Sequence, residues 1–398
     1  MYIVDTTLRE GLQRYGLYAD LPARRLLLQG VSLLGVEEIE MGPVRGEPSF
    51  PALFEWARQT LDGRLSIWAR CLPGDIRDVA RLSPESISIC IPVSDLHIKE
   101  RLGTDRPGIR KRVTCCLGLA RELGIPFVSL GLEDASRAEP EFVFEMAGLA
   151  ARCGANRVRI SDTVGVWNPV AVVDVVTRLR EIPGIGLGVH CHNDFGMATA
   201  NSIAALCSGA DCADATLLGL GERAGLAPLE EVLGYLYFHA GLRHYDVSGL
   251  ARLCRRASEV LGLAHAPYKP VTGEAIFFTE TGLHVDGQYK SPRLYDPFPP
   301  AAMGHDSRVD VGAKSGRGAM RGKLRELGLD GSLDHDKHLL QKVHALSSIK
   351  KRPLETEELL CLAGWPAGKG TEDCGPALPR KAPAMPWPDL GDDREAAS

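Results

Sequence analysis

The most specific local signal in the chain is the pair His190 and His192, at the end of a predicted strand over 186–191. Side chains alternate between the two faces of a strand, so both imidazoles point the same way. Two imidazoles on one face form half of a divalent-metal site. The alternative is one buried histidine and one loop histidine, each satisfied by its own hydrogen bond.

A third ligand is available in Glu10, which follows a predicted first strand over 2–5. Two histidines and one carboxylate leave open positions for substrate and water, an arrangement that suits Lewis-acid catalysis on a carbonyl. Zinc hydrolases built on barrels also use a His-x-His pair, but at the end of the first strand, whereas here the pair ends the seventh. The ligand set accepts Mg²⁺, Mn²⁺ or Zn²⁺.

Three further polar residues could contact a substrate. Arg9, beside Glu10, is either a structural ion-pair partner or a fixed cation over a developing oxyanion or enolate. Thr163 either caps the next turn or donates its hydroxyl to a substrate carboxylate. Arg137 either pairs with its acidic neighbours or offers its guanidinium fork to a second carboxylate.

Short β-rich runs alternate with longer amphipathic runs and must position these residues. The predicted strands cover 2–5, 36–41, 65–69, 86–91, 127–132, 157–161, 186–191 and 213–217. The predicted helices cover 22–34, 109–123, 141–153, 169–179, 196–207 and 228–238. This alternation indicates parallel strands with helical crossovers, and eight such units predict an α/β fold, a (β/α)8 TIM barrel. A doubly wound sheet would show a glycine-rich turn after the first strand, where this chain has Thr-Thr-Leu-Arg-Glu.

Polar or ionisable side chains follow each of the eight predicted strands. Any one of them could be an ordinary loop residue, since loops are polar. In a TIM barrel, however, the carboxyl ends of all strands meet at one rim, which is where such barrels carry their active sites. The fold therefore predicts that these side chains converge.

After residue 242 the pattern changes to a smaller α-rich segment. Its predicted helices cover 247–261, 319–327, 336–347 and 355–363, and the stretch 276–290 is predicted to be irregular, with a turn at Gly-Leu-His-Val-Asp-Gly. We predict a catalytic barrel domain over 1–242, an α-rich C-terminal domain over 243–350, and a short helix with a disordered tail over 351–398.

The composition excludes several classes of protein. Of 398 residues, 44% are hydrophobic and 24% are charged, as in globular proteins, and the formal charge of −5 gives no field for nucleic acid or anionic membranes. Neither a membrane-spanning apolar run nor a signal peptide is visible. The eleven cysteines include no Cys-x-x-Cys pair, which favours reduced thiols in a cytoplasm over disulfides or a zinc knuckle.

Three motifs together resemble the homocitrate, isopropylmalate and citramalate synthases, metal-dependent barrels that condense acetyl-CoA with a 2-oxo acid. They are Asp-Thr-Thr-Leu-Arg-Glu-Gly at 5–11, Gly-x-His-x-His-Asn-Asp-x-Gly at 188–196 and Gly-Leu-Gly-Glu-Arg-Ala-Gly at 219–225. Pro-Val-Ser-Asp-Leu at 92–96 and Glu-Asp-Ala-Ser-Arg at 133–137 are most similar to homocitrate synthases of the nitrogen-fixation type. The resemblance runs from residue 2 to about residue 347.

The resemblance implies roles for nine residues. It assigns metal binding to Glu10, His190 and His192, catalysis to Arg9, Glu133 and His284, and substrate binding to Gln13, Arg137 and Thr163. It also implies a divalent metal, acetyl-CoA as co-substrate, and a homodimer in which His284 reaches the partner's barrel. Neither nucleic acid nor a membrane is an expected partner, and the expected location is the cytoplasm.

The sequence departs from the family pattern at Leu12, Leu226, Thr279 and Lys314, which leaves the acceptor and the help from the second domain open. The first prediction is homocitrate, made from acetyl-CoA and 2-oxoglutarate. The alternatives are the same chemistry with oxaloacetate, pyruvate or 2-oxoisovalerate, and the related lyase that cleaves a 3-hydroxy-3-methylacyl-CoA. Loss of a metal ligand would favour a non-enzymatic binding protein, and none is lost.

Overall fold

The computed structural model describes residues 1–44, 46, 48–329 and 337–364, and its main feature is a closed barrel of eight parallel strands in sequential order. The strands are β1 (Tyr2–Asp5), β2 (Glu38–Met41), β3 (Arg64–Arg70), β4 (Ser86–Pro92), β5 (Phe127–Glu133), β6 (Arg157–Asp162), β7 (Gly186–Cys191) and β8 (Cys212–Ala215). β1 pairs with both β2 and β8, which closes the barrel. The TIM-barrel prediction is confirmed, and the predicted strand ends lie within two residues of the observed ones.

Helices connect the strands and continue after the barrel. In the described residues they are α1 (Leu21–Leu33), α2 (Phe50–Thr60), α3 (Pro73–Ala80), α4 (Asp95–Glu100), α5 (Arg106–Glu122), α6 (Pro140–Arg152), α7 (Pro169–Leu179), α8 (Ala198–Cys207), α9 (Leu229–Phe238), α10 (Leu250–Val260), α11 (Gly282–Lys290), α12 (Arg317–Glu326), α13 (Lys337–Lys350) and α14 (Thr356–Leu362). The predicted set omits α2, α3, α4 and α11. Yet α2 buries Phe50, Leu53, Phe54 and Ala57, a spacing typical of an amphipathic helix.

Side-chain caps explain where three of these helices begin. Asp20 before α1, Asp105 before α5 and Asn168 before α7 each accept a hydrogen bond from the backbone amide three residues later. A proline follows in the first turn of each helix, where its missing amide costs nothing. The caps satisfy amides that a helix leaves unpaired, so they fix the exits of the loops after β1 and β6.

Charged side chains fill the barrel lumen below its C-terminal rim. In one layer, Arg157 Nη1 and Nη2 lie 2.8 and 2.9 Å from the Glu38 carboxylate. In the layer above, Arg159 Nη1 lies 2.8 Å from both Glu40 Oε1 and Asp214 Oδ2. All five side chains are buried. Buried charges are tolerated only when they are paired, so the pairs tie β2, β6 and β8 together beneath the rim.

A second compact unit comprises Pro267–Lys269 and the chain from Gly273, whereas the barrel unit comprises Met1–Ala266 and Pro270–Thr272. In the second unit, β9 (Phe278–Thr279) and β10 (Arg308–Val309) pair in parallel. Its larger apolar core comes from α12, α13, α14 and their connections: Val311, Met320, Leu324, Leu329, Leu339, Val343, Leu354 and Leu359. The expected α-rich C-terminal part is confirmed.

The irregular turn predicted within 276–290 is wrong, because α11 spans Gly282–Lys290. Glycines at 282 and 287 lower its helix propensity and hide it in the sequence. Packing outweighs that propensity. Val285 lies in a small core with Val309 and Ala319, and a Cβ on Gly287 would lie 2.2 Å from Tyr295 Cε2, so glycine is what allows the ring to approach.

α14 lies where the short last helix is predicted, and the predicted tail over 366–398 falls outside the described residues. The domain boundaries at 242 and 350 stay predictions. None of the helices in the described part of the chain combines the length and the apolar character that a membrane crossing requires.

Candidate functional site

The three predicted metal ligands lie together at the C-terminal rim of the barrel. Glu10 stands in the turn after β1, His190 is on β7, and His192 follows it. A ligand atom from each lies within 4.8 Å of the others, and all three residues are buried. His192 Nε2 is 3.8 Å from Glu10 Oε1. The described residues contain no second cluster of this kind.

Hydrogen bonding leaves a ring nitrogen of each histidine available. His190 Nδ1 lies 2.7 Å from Asp214 Oδ2. A carboxylate in this position holds the Nδ1 proton and presents Nε2 to a metal. His192 Nδ1 is buried without a hydrogen-bond partner in the described part of the chain. Its Nε2, 3.8 Å from Glu10 Oε1, is the ring nitrogen that faces the other candidate ligands.

Burial and neighbouring charges set the protonation of the three residues. Burial, followed by the charge of Arg9, lowers the pKa of His190 to about 3. Burial, followed by His190, lowers the pKa of His192 to about 4. Burial alone would raise the pKa of Glu10, but Arg9 and the two histidines outweigh it and hold that pKa below its usual range. At neutral pH two uncharged imidazoles face a carboxylate, a donor set that fits a divalent cation.

Arg9 lies beside this cluster and is firmly held. Its Nη1 pairs with Glu10, and its Nε donates to Glu40 Oε2 at 2.6 Å. The guanidinium also lies 6.0 Å from the ring centroid of Trp68. The two interpretations of Arg9 are therefore compatible, because the ion pairs hold a permanent cation next to the candidate metal site.

Thr163 joins two rim loops. Its Oγ1 accepts a hydrogen bond from the Asp134 amide at 2.8 Å, and its carbonyl accepts one from Arg223 at 2.6 Å. The turn after β6 is capped instead by Asp162, whose carboxylate accepts from the amides of Val166 and Trp167. Since the Thr163 oxygen accepts, its hydroxyl proton remains to be donated.

Arg137 and Glu133 both have partners at the end of β5. Arg137 Nε and Nη2 donate to Asp134 at 2.8 and 2.9 Å, and Nη2 also lies 3.2 Å from His97 Nε2. The fork therefore faces an acidic neighbour, and within the described residues Nη1 is the arm that makes no hydrogen bond. Glu133 Oε2 lies 2.7 Å from Arg101 Nη1.

The two remaining predicted residues lie in different places. Gln13 is exposed and, with Arg9, lines a cavity of about 260 Å³ between the loops after β1 and β2. His284 is on α11 in the second unit, where its ring lies 4.3 Å from that of Tyr295. It lines a cavity of about 800 Å³ within that unit. His284 therefore belongs to the second unit, whereas the other eight predicted site residues belong to the barrel unit.

Sequence reasoning assigned no individual role to three buried residues behind the site, namely Glu40, Arg159 and Asp214. Glu40 holds Arg9, Asp214 holds His190, and Arg159 contacts both carboxylates. The available signal was charge at alternate positions within strands that are otherwise buried, as in Glu-Ile-Glu of β2 and Arg-Val-Arg of β6. Such alternation in a barrel strand indicates charges in the lumen.

The glycine-rich loop after β8 is locked to the loop that carries His192. Gly225 has φ +85°, and a Cβ there would lie 1.8 Å from the Gly219 carbonyl oxygen, so only glycine fits. The Gly225 carbonyl accepts from the Asn193 amide at 2.9 Å. Arg223 pairs with Asp194 at 2.8 Å. The motif thus holds the third metal-ligand residue in place.

Comparison with known proteins agrees with this geometry. A family model described as HMGL-like matches residues 1–255. The chain belongs to the HMGL-like family. A second model, described as homocitrate synthase post-HMGL domain-like, matches residues 271–351 of this HMGL-like protein. The resemblance to homocitrate and isopropylmalate synthases is confirmed, and the protein is a metal-dependent acyltransferase.

Individual relatives of this HMGL-like enzyme carry different names. A homocitrate synthase of Frankia alni is 38% identical over 81% of this chain and 93% of the relative. The 2-isopropylmalate synthase 2 of Caldanaerobacter subterraneus subsp. tengcongensis is 33% identical over 91% of this chain and 94% of the relative. The solved hydroxymethylglutaryl-CoA lyase from Pseudomonas aeruginosa has a TM-score of 0.60 at 20% identity, covering 69% of this chain and 96% of that one, which is a likeness of fold.

Proposed function

We propose that this enzyme condenses acetyl-CoA with 2-oxoglutarate and releases homocitrate and CoA. The observation that carries the proposal is the cluster of Glu10, His190 and His192 beside the buried cation Arg9 at the barrel rim. A divalent cation held by the three ligands would polarise the acceptor's keto group. The homocitrate synthase of Frankia alni supports the choice of acceptor.

Arg9 would stabilise the negative charge that develops on the keto oxygen. Its Nη1 pairs with Glu10 and its Nε with Glu40, so the guanidinium is fixed before the reaction begins. A preorganised cation in a buried site acts more strongly than one in water and needs no reorganisation during the step. We assign the electrostatic part of catalysis to this residue.

The proposed reaction is a carbon–carbon condensation followed by hydrolysis of the thioester. A base takes one proton from the acetyl methyl group, and the resulting enolate carbon bonds to the keto carbon, whose π electrons move to oxygen beside Arg9. That oxygen takes up a proton and becomes a hydroxyl group. Water then cleaves the thioester into a carboxylate and the CoA thiol. We assign the proton transfers to Glu133, paired with Arg101 at 2.7 Å, and to His284.

The substrate carboxylates would be bound at the ends of β5 and β6. Thr163 retains a hydroxyl proton, and Arg137 retains Nη1 beyond the two nitrogens that bind Asp134. Asp134 fixes the guanidinium in one orientation, which reduces the entropy lost on binding a distal carboxylate. Gln13 would contact the substrate from the opposite side, next to Arg9.

His284 would act from a partner subunit in a homodimer. Variants Arg9→Ala and His284→Ala should each be nearly inactive. If the site is shared, subunit exchange between them rebuilds one intact site per heterodimer, and activity returns on mixing. Exchange shown by mass measurement without any recovery would place His284 in its own subunit or outside the mechanism.

A second candidate keeps the chemistry and takes an apolar 2-oxo acid such as 2-oxoisovalerate. The cavity of about 260 Å³ at Arg9 favours it, because Leu12, Met41 and Phe50 line it along with Leu53. The 2-isopropylmalate synthase among the relatives supports the same choice. An apolar lining of this kind accommodates a branched side chain.

The test is release of the CoA thiol from acetyl-CoA with a panel of 2-oxo acids, with Mg²⁺, Mn²⁺ or Zn²⁺ supplied in turn. We expect 2-oxoglutarate to give the highest kcat/KM and a chelator to abolish the activity. Preference for 2-oxoisovalerate, pyruvate or oxaloacetate would replace homocitrate by another product. Cleavage of 3-hydroxy-3-methylglutaryl-CoA without any condensation would instead identify a lyase.

A further inference from the structure

A single buried guanidinium connects the two halves of the site. Arg159 projects from β6 into the lumen and is 1% exposed. Its Nη1 lies 2.8 Å from Glu40 Oε1 on β2 and 2.8 Å from Asp214 Oδ2 on β8. Its Nη2 donates to Ser88 Oγ on β4 at 2.9 Å. The side chain therefore binds three strands on different sides of the barrel.

Each carboxylate that Arg159 contacts also holds one residue of the rim. The other oxygen of Glu40 accepts from Arg9 Nε at 2.6 Å. The same oxygen of Asp214 lies 2.7 Å from His190 Nδ1. The chain of contacts thus runs from Arg9 through Glu40, Arg159 and Asp214 to His190, without a gap.

We infer that Arg159 is a positioning residue, which sets His190 for metal binding and Arg9 for charge stabilisation by holding the two carboxylates that orient them. The inference rests on the proposed metal and catalytic roles of those two residues. Partners behind a metal-binding histidine commonly change metal affinity 10–100-fold when they are removed. Here one residue stands behind both the histidine and the catalytic cation.

The charges of the layer support this role. Three carboxylates, from Glu10, Glu40 and Asp214, face two guanidinium groups, from Arg9 and Arg159. One negative charge is left over for a bound cation. Without Arg159 the two lumen carboxylates would face each other with Arg9 as their shared cation. Arg9 would then move away from Glu10 and towards these carboxylates, because a buried charge without a partner is strongly destabilising.

The barrel contains a matched control in Arg157. It lies two positions earlier on β6, is also 1% exposed, and pairs with Glu38 at 2.8 Å. Its Nε donates to Ser129 Oγ at 3.0 Å, as Arg159 donates to Ser88. Glu38 contacts neither Arg9 nor His190 in the described structure. Arg157 therefore shares the burial and the ion pair of Arg159, but lacks its connection to the rim.

The experiment compares Arg159→Gln with Arg157→Gln. Mn²⁺ binding to the metal-free protein is measured by calorimetry, and unfolding midpoints are measured in urea. Both variants should lose stability, since each removes a buried cation that lies 2.8 Å from a buried carboxylate. Arg159→Gln should weaken Mn²⁺ binding about 10–100-fold, and Arg157→Gln less than about threefold. Equal weakening in both variants, or none in Arg159→Gln, would overturn the inference.

If a glutamine variant does not fold, a pair of less disruptive serine substitutions tests the same positioning role. Ser88→Ala removes the hydroxyl that accepts from Arg159 Nη2, and Ser129→Ala removes the hydroxyl that accepts from Arg157 Nε. Ser88→Ala should weaken Mn²⁺ binding severalfold more than Ser129→Ala, and equal affinities would refute the positioning role. If the unsubstituted protein binds Mn²⁺ and turns over, such equality refutes only Arg159. If the unsubstituted protein does neither, the proposed function itself is wrong, and the inference fails with it.

Discussion

Nδ1 of His190 lies 2.7 Å from Oδ2 of Asp214, because the two residues are on neighbouring strands, β7 and β8. This contact selects the tautomer of a histidine whose pKa is lowered to about 3 by burial and by Arg9. The ring is therefore neutral throughout the physiological range, and its Nε2 carries the free lone pair. The metal-binding form of His190 is present before any metal arrives.

The first prediction concerns His192. His192→Ala removes one of three ligands, so it should abolish metal binding and reduce kcat by at least about 10²-fold. The barrel core lies below the rim, so the unfolding midpoint should change little. Metal content after dialysis, CoA-thiol release and urea unfolding measure the three effects.

The matched control for that variant is His239→Ala. His239 is an exposed residue at the end of α9 that stacks on Tyr235, and its loss should change neither metal content nor turnover. A His192→Ala protein that retains full acetyl-CoA-dependent activity in the presence of a chelator would refute the metal assignment.

The second prediction concerns Arg9. Arg9→Lys keeps a positive charge but loses the planar fork that binds Glu10 and Glu40 together. Loss of one donor to an oxyanion typically reduces the rate about 10²–10³-fold, so kcat should fall by that factor with little change in KM. Steady-state kinetics with the preferred acceptor gives both constants.

Arg70→Lys is the control, because Arg70 also ends a barrel strand but pairs with Asp75 at 2.7 Å and is half-exposed. It should retain nearly full kcat. An unchanged kcat in Arg9→Lys would leave Arg9 as a structural partner of Glu10 and Glu40.

The strand pattern and the rim residues were predictable because they depend on local information. Alternating apolar runs and strand-end polarity placed Glu10, His190 and His192 correctly at one rim. The pairing of Arg159 with Glu40 depends on barrel closure, since the two residues lie on β6 and β2. No local pattern encodes which charges meet across a lumen.

One other difference has a similar physical origin. In α11, glycine lowers helix propensity, and the contacts that compensate come from distant segments around Val285. The pairing of Arg137 with Asp134, in contrast, is one of the two alternatives that the sequence left open, and it is a local contact between residues three apart.

The third prediction concerns pH and Asp5. Burial raises the pKa of Asp5 from 3.8 to about 7, although two hydrogen bonds from Thr7 oppose the shift. The folded state therefore holds a proton that the unfolded state has released between about pH 4 and pH 7. The stabilising contribution of this proton is complete below pH 4 and is lost as the pH rises through 7.

Asp5→Asn removes this dependence while keeping the acceptor for the Thr7 amide. The free energy of unfolding of Asp5→Asn relative to the unsubstituted protein should therefore increase from pH 5 to pH 8. The increase should be on the order of 1–3 kcal/mol, given that one pKa unit corresponds to about 1.4 kcal/mol. Urea titrations of both proteins at the two pH values measure it, and taking the difference cancels the titrating groups that do not interact with Asp5. A difference that does not change with pH would contradict the raised pKa.

The last prediction uses Arg137 to identify the acceptor. A distal carboxylate is present in 2-oxoglutarate and absent from pyruvate, and Nη1 of Arg137 is the arm that Asp134 leaves for it. Arg137→Ala should therefore lower kcat/KM for 2-oxoglutarate at least about tenfold more than for pyruvate, since a charge-assisted hydrogen bond contributes about 1.5–3 kcal/mol. Arg110→Ala is the control, because Arg110 makes a similar two-armed pair with Glu145 on the helices outside the barrel. If both acceptors lose equally in Arg137→Ala, the residue only orders its own loop through Asp134, and the acceptor's distal group must bind elsewhere, with the cavity beside Arg9 and Gln13 as the next site to test.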